Sequence, residues 1–271
     1  MTASAILSNL PGTVRGAIAS ASRRTGVDFN YLLGQAHLES GLNPRAQAAT
    51  SSAKGLYQFI DQSWLAVVNR HGGEHGLGWA ANAIQKTGGR YVVADPATRD
   101  AIMNLRTDPQ AAALMAAEHA ADNKSAVERC LGRPASGTDL YLCHFLGQKG
   151  GVDFLSAMAS NGDRPAASLF PAAARSNRNV FYAGDGTPRS LEQVYGRFAT
   201  KLGNAVPGAG NALPADLDVL GPGLKQEKAG EETNTLERLT FAAAAPATGS
   251  MLRPSPDNAR LAYLMLATLG N

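Results

Sequence analysis

Cysteine is scarce in this sequence, and clustered metal-binding motifs are missing. Only Cys130 and Cys143 occur among 271 residues, which excludes a disulfide scaffold. Cys143 lies in an apolar helical stretch and is expected to be a buried thiol, with a single bridge to Cys130 as the alternative. There is no CxxC or HExxH pattern, and His71 and His75, four residues apart, lie among glycines that make a poor helix face. The sequence therefore predicts neither a metal site nor a cofactor.

Long hydrophobic runs are also missing. No window reaches about 18 apolar residues, so no segment is expected to span a membrane. Residues 1–12 lack a basic region and a long apolar run, so no secretory signal is predicted. Aromatic residues make up 6%, charged residues 17% and apolar residues 44% of the chain, which is typical of a globular protein rather than a disordered one.

Net charge and length set further bounds. The net charge of +3 is too small an excess to predict nucleic-acid binding. Abundant alanine and glycine favour a core of closely approaching helices. We expect an all-α domain over 1–202, with a helical extension at 163–202. Gly, Pro and Ala with scattered charge are typical of a flexible low-complexity tail at 203–271. A short apolar helix at 258–269 would dock on the domain or on a protein partner.

Helix-capping residues predict several element boundaries. Asp28 and Gly41 would bound one helix, and Asp61 is expected to cap the next. Asp95-Pro96 and Asp108-Pro109 repeat one start pattern, a capping Asp followed by Pro at the first helical position. The other expected elements are a first helix at 11–24, a short helix at 79–85, a helix from 108 to about 123, helices at 140–146, 152–160 and 188–201, and an irregular stretch at 163–187.

Glu39 lies in the last turn of the helix predicted over 28–40. The negative end of the helix dipole and any apolar lining both disfavour a charged carboxylate there, so its pKa is expected to be raised. Such a glutamate can hold a proton at neutral pH and donate it to a leaving oxygen. The alternative is an exposed polar residue at a helix end, which is common on protein surfaces.

Two blocks of residues carry a resemblance to a known family. Glu-Ser-Gly-Leu-Asn-Pro stands at 39–44, and Gly-Leu-Tyr-Gln-Phe follows at 55–59 after a short polar loop. Together they resemble the SLT-type lytic transglycosylases, which have a lysozyme-like all-α fold. The run 50–59 is more similar still to a branch found in phage virions and alphaproteobacteria. A third block, 140–147, stands where the family has Tyr-Asn-Ala-Gly, and the resemblance covers about residues 10–160.

The resemblance implies an enzyme that cuts the β-1,4 bond between N-acetylmuramic acid and N-acetylglucosamine in peptidoglycan. Glu39 would protonate the leaving oxygen and then, as a base, take the proton of the 6-hydroxyl, which gives a 1,6-anhydro end. The serine or threonine that often holds the acetamido group in the family falls near Ala48 or Ala49 here. A hydrolytic muramidase with a second carboxylate, Glu118 or Asp61, therefore remains an alternative. A non-catalytic wall-binding or assembly module is another.

The resemblance also implies a substrate groove along the glycan strand, the expected partner of this mildly basic domain. Residues from the three blocks would contact the sugars: Ser40, Tyr57, Gln58, Tyr141, His144 and Phe145. Gln58 has an alternative role as an amide that bonds the loop backbone, and Tyr141 and His144 would otherwise belong to the core. Trp64 is expected in the core. The expected location is the cell envelope or periplasm, reached by an export route without a recognisable signal or by virion delivery.

Overall fold

The all-α prediction is confirmed, because most residues described by the computed structural model, 12–49 and 51–205, are helical. The expected tail lies outside these residues from 206 onward, as does the helix expected at 258–269. In chain order the helices are α1 (Gly12–Thr25), α2 (Phe29–Ser40), α3 (Asp61–His71), α4 (Gly78–Ala83), α5 (Pro96–Asn104), α6 (Pro109–Leu131), α7 (Gly137–Leu146), α8 (Gln148–Ser160), α9 (Ala166–Leu169), α10 (Pro171–Ser176), α11 (Arg178–Phe181) and α12 (Leu191–Ala205). Short 3₁₀ helices, Gly72–His75 and Leu105–Thr107, follow α3 and α5.

The predicted caps of α2 are confirmed. The Asp28 carboxylate accepts the backbone N–H of Tyr31 at 2.7 Å, which satisfies a donor at the start of the helix. Gly41 ends the helix in the left-handed conformation, with φ of 59°. Glu39 therefore lies in the last turn of α2, as expected.

The two Asp-Pro starts are also confirmed, at Asp95 for α5 and Asp108 for α6. Helix α6 continues to Leu131, well past the expected end near Asn123. The chain has no glycine or proline between Asn123 and Gly132, which ends α6 with φ of 66°.

Asp61 does not cap α3, so that expectation is wrong. Ile60 holds the capping position without a side-chain bond, and Asp61 is the first helical residue. Its carboxylate instead accepts from Arg106 at 3.0 Å and from Arg99 at 2.8 Å. Charged guanidinium donors make stronger hydrogen bonds than a backbone N–H, which explains why Asp61 pairs with the two arginines and does not cap α3.

The short helix expected at 79–85 is wrong at its carboxyl end. Helix α4 ends at Ala83, and strand β1 (Ile84–Thr87) pairs antiparallel with strand β2 (Arg90–Val93). Gly88 and Gly89 both have positive φ, 55° and 78°, as a two-residue hairpin turn of the primed type requires. The stretch 163–187 is likewise not simply irregular, because it contains α9, α10 and α11.

One hydrophobic core extends from Val14 in α1 to Leu202 in α12. Small residues let its helices approach closely: a Cβ on Gly151 of α8 would lie 2.5 Å from the sulfur of Cys143 in α7. Six alanines of α6 are buried: Ala111, Ala112, Ala113, Ala116, Ala117 and Ala120. Cys143 is a buried free thiol, as predicted, and burial raises its pKa to about 12.

Trp64 is completely buried and donates its indole N–H to the carbonyl of Ile102 at 2.8 Å, so its predicted place in the core is confirmed.

Cys130 is exposed and forms no bridge with Cys143. Among the helices of residues 12–49 and 51–205, none has the length and apolar character needed to cross a bilayer.

Candidate active site

Glu39 meets two side chains of α7 at the carboxyl end of α2. Its Oε1 atom lies 3.2 Å from Nε2 of His144 and 3.5 Å from the hydroxyl of Tyr141. The Glu39 side chain is 17% exposed and that of His144 is 26% exposed, so both are partly withdrawn from water but reachable. The fold thus brings together three of the residues that the sequence analysis singled out.

Two backbone positions near this site, Leu42 and Gln58, are strained. Leu42 and Gln58 have φ of 65° and 48°, and they are the non-glycine residues with positive φ in the described part of the chain. A side chain in the left-handed region costs about 1–2 kcal/mol. Such strain persists only where the surrounding structure enforces it, and it is concentrated at functional sites. Both residues belong to the two blocks that carry the family resemblance.

Ser40 joins the end of α2 to the loop that carries the second block. Its hydroxyl lies 2.8 Å from the carbonyl of Leu56 and 3.0 Å from that of Ala36. The first contact crosses from helix to loop, and the second is a bond back to the preceding helical turn. Ser40 therefore fixes the loop relative to Glu39, which is a structural role in addition to the substrate contact that the resemblance implies.

Arg106, which sequence reasoning missed, holds the same loop from the other side. Its side chain is 7% exposed and donates to the carbonyls of Ser52 at 2.8 Å and Phe59 at 3.0 Å. It also pairs with Asp61. A lone arginine in sequence gives no indication of this role, because its partners come from segments about fifty residues earlier.

Gln58 bonds the loop backbone through its amide nitrogen, which donates to the carbonyls of Gly55 at 2.8 Å and Ala46 at 3.2 Å. The structural alternative for this side chain is therefore realised, and it does not prevent the partly exposed Gln58 from facing a sugar. Tyr57 is 1% exposed, and its hydroxyl donates to the carbonyl of Leu32 at 3.2 Å. Burial raises the pKa of this phenol. The hydrogen bond from Tyr57 to Leu32 connects the loop to α2.

Helix α12 packs against α7 beside Glu39. Phe198 lies with its ring centroid 5.7 Å from that of Tyr141 and 4.9 Å from that of Phe145. Lys201, three residues further along, places Nζ 3.4 Å from the Tyr141 hydroxyl. Sequence reasoning missed Lys201, although its spacing of three residues from Phe198 puts both on the same helix face.

His119 is another residue near the site that the sequence analysis did not single out. It packs edge-on against Phe59, with 6.3 Å between ring centroids. Burial, followed by an electrostatic interaction with His144, lowers the pKa of His119 to about 4. This imidazole is therefore neutral at pH 7.

Glu118, the predicted second acid, lies in a different set of contacts. Its Oε1 is 2.5 Å from Nε2 of His75 and its Oε2 is 3.6 Å from Nδ1 of His71. The other ring nitrogen of His75 lies 2.6 Å from the guanidinium of Arg24. Because a guanidinium only donates, that nitrogen must accept, so His75 is neutral and directs its N–H to Glu118.

The network continues to Asp122, one turn further along α6. Asp122 lies 3.0 Å from Nε2 of His71 and 2.6 Å from the guanidinium of Arg70. Burial would raise the pKa of Asp122, but the hydrogen bonds from His71 and Arg70 outweigh it and lower that pKa. We call these six residues the histidine network: Arg24, Arg70, His71, His75, Glu118 and Asp122. No group of three or more His, Cys, Asp or Glu side chains within the described ranges is arranged to hold a metal ion.

A comparison of the chain with protein-family models finds no match. The functional conclusion therefore depends on the contacts around Glu39. This partly buried carboxylate has two hydrogen-bonding neighbours, Tyr141 and His144. It lies next to a strained loop that Ser40 and Arg106 hold in place.

Proposed function

We propose that this protein cleaves peptidoglycan glycan strands as a lytic transglycosylase, on a lysozyme-like helical fold. The observation that carries the proposal is the position of Glu39, partly buried in the last turn of α2 with Tyr141 and His144 at its Oε1 atom. Residues 39–44 and 55–59, whose pattern suggests this family, flank that carboxylate. Ser40 links them directly.

The first step needs an acid. Glu39 would give its proton to the oxygen that bridges N-acetylmuramic acid and N-acetylglucosamine, while the bond from that oxygen to the anomeric carbon breaks. Its place at the negative end of the helix dipole and its partial burial both favour the protonated form. The N-acetyl group of the muramic acid would assist at the anomeric carbon, so the protein supplies no nucleophile.

The second step needs the same carboxylate as a base. Glu39 would take the proton from the 6-hydroxyl of the muramic acid while that oxygen bonds to the anomeric carbon. The products are a 1,6-anhydro end and a free 4-hydroxyl, and no water is consumed. Hydrogen bonds from Tyr141 and His144 would stabilise the carboxylate between the two steps.

A hydrolytic muramidase would need a second carboxylate to activate water. Glu118 lies against His75 and His71, and Asp61 lies against Arg106 and Arg99. A donor directed at a carboxylate favours its charged form, so a carboxylate held in this way is a weakened base, most of all Asp61 between two guanidinium groups. These contacts support the scheme in which Glu39 is the single acid and base. The enzyme would act in the cell envelope.

Mass spectrometry of the fragments released from purified peptidoglycan tests the proposal. We expect muropeptides with 1,6-anhydro ends, each lighter by one water than the corresponding reducing-end product. Reducing ends would support the hydrolytic muramidase instead. Release of no fragments at all would leave only a binding or assembly role. Glu39→Gln is the matched control, because it keeps the shape of the side chain and removes the transferable proton.

A further inference from the structure

We propose that Lys201 is a positioning residue of this site, which acts on Glu39 through the hydroxyl of Tyr141. The inference rests on the proposed function and adds to it a residue from α12. That helix lies beyond the stretch, about residues 10–160, that carries the family resemblance.

The three groups form a chain across three helices. Nζ of Lys201 lies 3.4 Å from the Tyr141 hydroxyl, and that hydroxyl lies 3.5 Å from Oε1 of Glu39. The ammonium also lies 5.7 Å from the centroid of the Tyr141 ring, within the range of a cation–π contact. Lys201 thus has two contacts with the same tyrosine.

The chemistry of the donors gives the chain a direction. An ammonium group can only donate, so the Tyr141 oxygen must accept from Lys201. The single proton of the phenol is then available for Oε1 of Glu39, to which the hydroxyl donates. Without the lysine, the hydroxyl could rotate and accept from another group instead. Lys201 therefore makes Tyr141 a donor to the proposed catalytic carboxylate.

Packing of α12 fixes the lysine in this place. Phe198, one turn earlier, is 5% exposed and lies edge-on against Tyr141 while it also contacts Phe145. Leu202, the next residue after Lys201, is 8% exposed. Lys201 thus extends from a helix face that is already held by the core, and its stem has little freedom to move away.

This arrangement suits a carboxylate that must serve first as an acid and then as a base. A directed hydrogen bond and a nearby cation both favour the charged form of Glu39, which is needed in the second step. They oppose the helix dipole and partial burial, which favour the protonated form. The groups near Glu39 include Tyr31 of its own helix, Tyr141 and His144 of α7, and Lys201 of α12 through Tyr141, and His119 of α6 interacts with His144.

The main test is Lys201→Met, which keeps most of the apolar stem and removes the charge. Lys149→Met is the control, because that lysine is 67% exposed on α8 and pairs with Asp153. On solubilised glycan strands we expect kcat of Lys201→Met to fall about 10-fold while KM stays within about 2-fold. The basic limb of its pH profile should move up by about half a unit, since loss of a cation raises the pKa of a carboxylate. Lys149→Met should match the wild type.

A second variant separates a positioning role from a general structural one. In a Tyr141→Phe background the hydroxyl is gone, so Lys201→Met should have little further effect on kcat. Lys201→Arg, which keeps a cationic donor, should recover most of the rate. Equal losses of kcat from Lys201→Met in both backgrounds, or an unmoved basic limb, would overturn the inference.

The outcomes distinguish this inference from the proposed function. If wild type and Lys201→Met both release anhydro fragments at the same rate and with the same pH profile, only the role of Lys201 is wrong. If the wild type releases no fragments from peptidoglycan, the proposed function and the role of Lys201 are overturned together.

Discussion

Glu39 and Glu118 are similarly buried but differ in their position on a helix and in the lengths of their contacts with histidine. Their side chains are 17% and 14% exposed, and each has a histidine beside Oε1. Glu118 lies in the middle of the long helix α6, 2.5 Å from a histidine whose other nitrogen accepts from Arg24. Glu39 lies at the end of a helix, with partners at 3.2 and 3.5 Å.

The difference indicates which glutamate is structural. The histidine network links α1, α3 and α6 through contacts of 2.5–3.0 Å between donors and acceptors. We therefore expect these contacts to stabilise the fold. The contacts of Glu39 with His144 and Tyr141, at 3.2 and 3.5 Å, are longer than the one between Glu118 and His75, and nearby Leu42 has a strained φ of 65°. Backbone strain of this kind is concentrated at functional sites, which supports the role proposed for Glu39.

The largest expected effect on stability is at Gly55, in the loop next to Glu39. A Cβ there would lie 1.8 Å from the carbonyl oxygen of Arg106, and φ is 84°. We expect Gly55→Ala to reduce the free energy of unfolding by about 3 kcal/mol or more, because strain and overpacking add. Thermal unfolding followed by circular dichroism measures the change, which corresponds to roughly 6–12 °C in Tm.

Gly132→Ala is the control for Gly55→Ala, since it has φ of 66° but open space around the added Cβ. It ends α6, the helix of Glu118, and should lose only about 1–2 kcal/mol for the unfavourable φ. Equal losses from the two substitutions would show that the close contact with Arg106 does not constrain the loop.

The next effect separates the two glutamates directly. Glu118→Gln removes the charge that faces His75 and His71, so we expect a loss of about 2 kcal/mol in the free energy of unfolding. The clearing rate of peptidoglycan, measured well below Tm, should stay near that of the wild type. Loss of clearing with Tm unchanged would reverse the roles assigned here and make Glu118 the second carboxylate of a hydrolase.

An effect of similar size, which appears only in acid, is the pH dependence of stability at His119. Its pKa is lowered to about 4 in the folded state, against about 6.5 when unfolded. The unfolded state therefore binds the proton more tightly, so the stabilisation is present above about pH 6.5 and is lost as the pH falls towards 4. Between pH 8 and pH 5 the wild type should lose about 2 kcal/mol from this group. Urea unfolding at the two pH values should show that His119→Gln lacks this loss.

Local patterns in the sequence predicted the helices well where a capping residue and a stop residue were both present. Asp28 with Gly41 is the example, whereas the helix after Asp108 was predicted well at its start and wrongly at its end. The β-hairpin was missed although Gly88-Gly89 is a recognised two-residue hairpin turn; the strand before it, Ile84–Thr87, has only one apolar residue and so gives a weak strand pattern. Asp61 was wrongly expected to be a cap, because Arg106 and Arg99 reach it only in the folded chain.

The candidate site was also predictable only in part, because some of its residues come together only in the folded chain. Glu39, Ser40 and Gln58 lie in one short stretch, so a sequence motif can contain them. Lys201 and His119 reach the site from α12 and α6, and their approach depends on how those helices pack. Packing of distant helices is set by the whole core, and no local pattern encodes it.

The central claim is that Glu39 moves the proton, and one paired measurement tests it. The clearing rate of purified peptidoglycan should fall by about 10³-fold or more in Glu39→Gln, the range expected when a general acid is removed. Its Tm should stay within about 2 °C of the wild type, because its hydrogen-bonded contacts with Tyr141 and His144 are long. Equal clearing by the variant and the wild type, at equal Tm, would contradict the account.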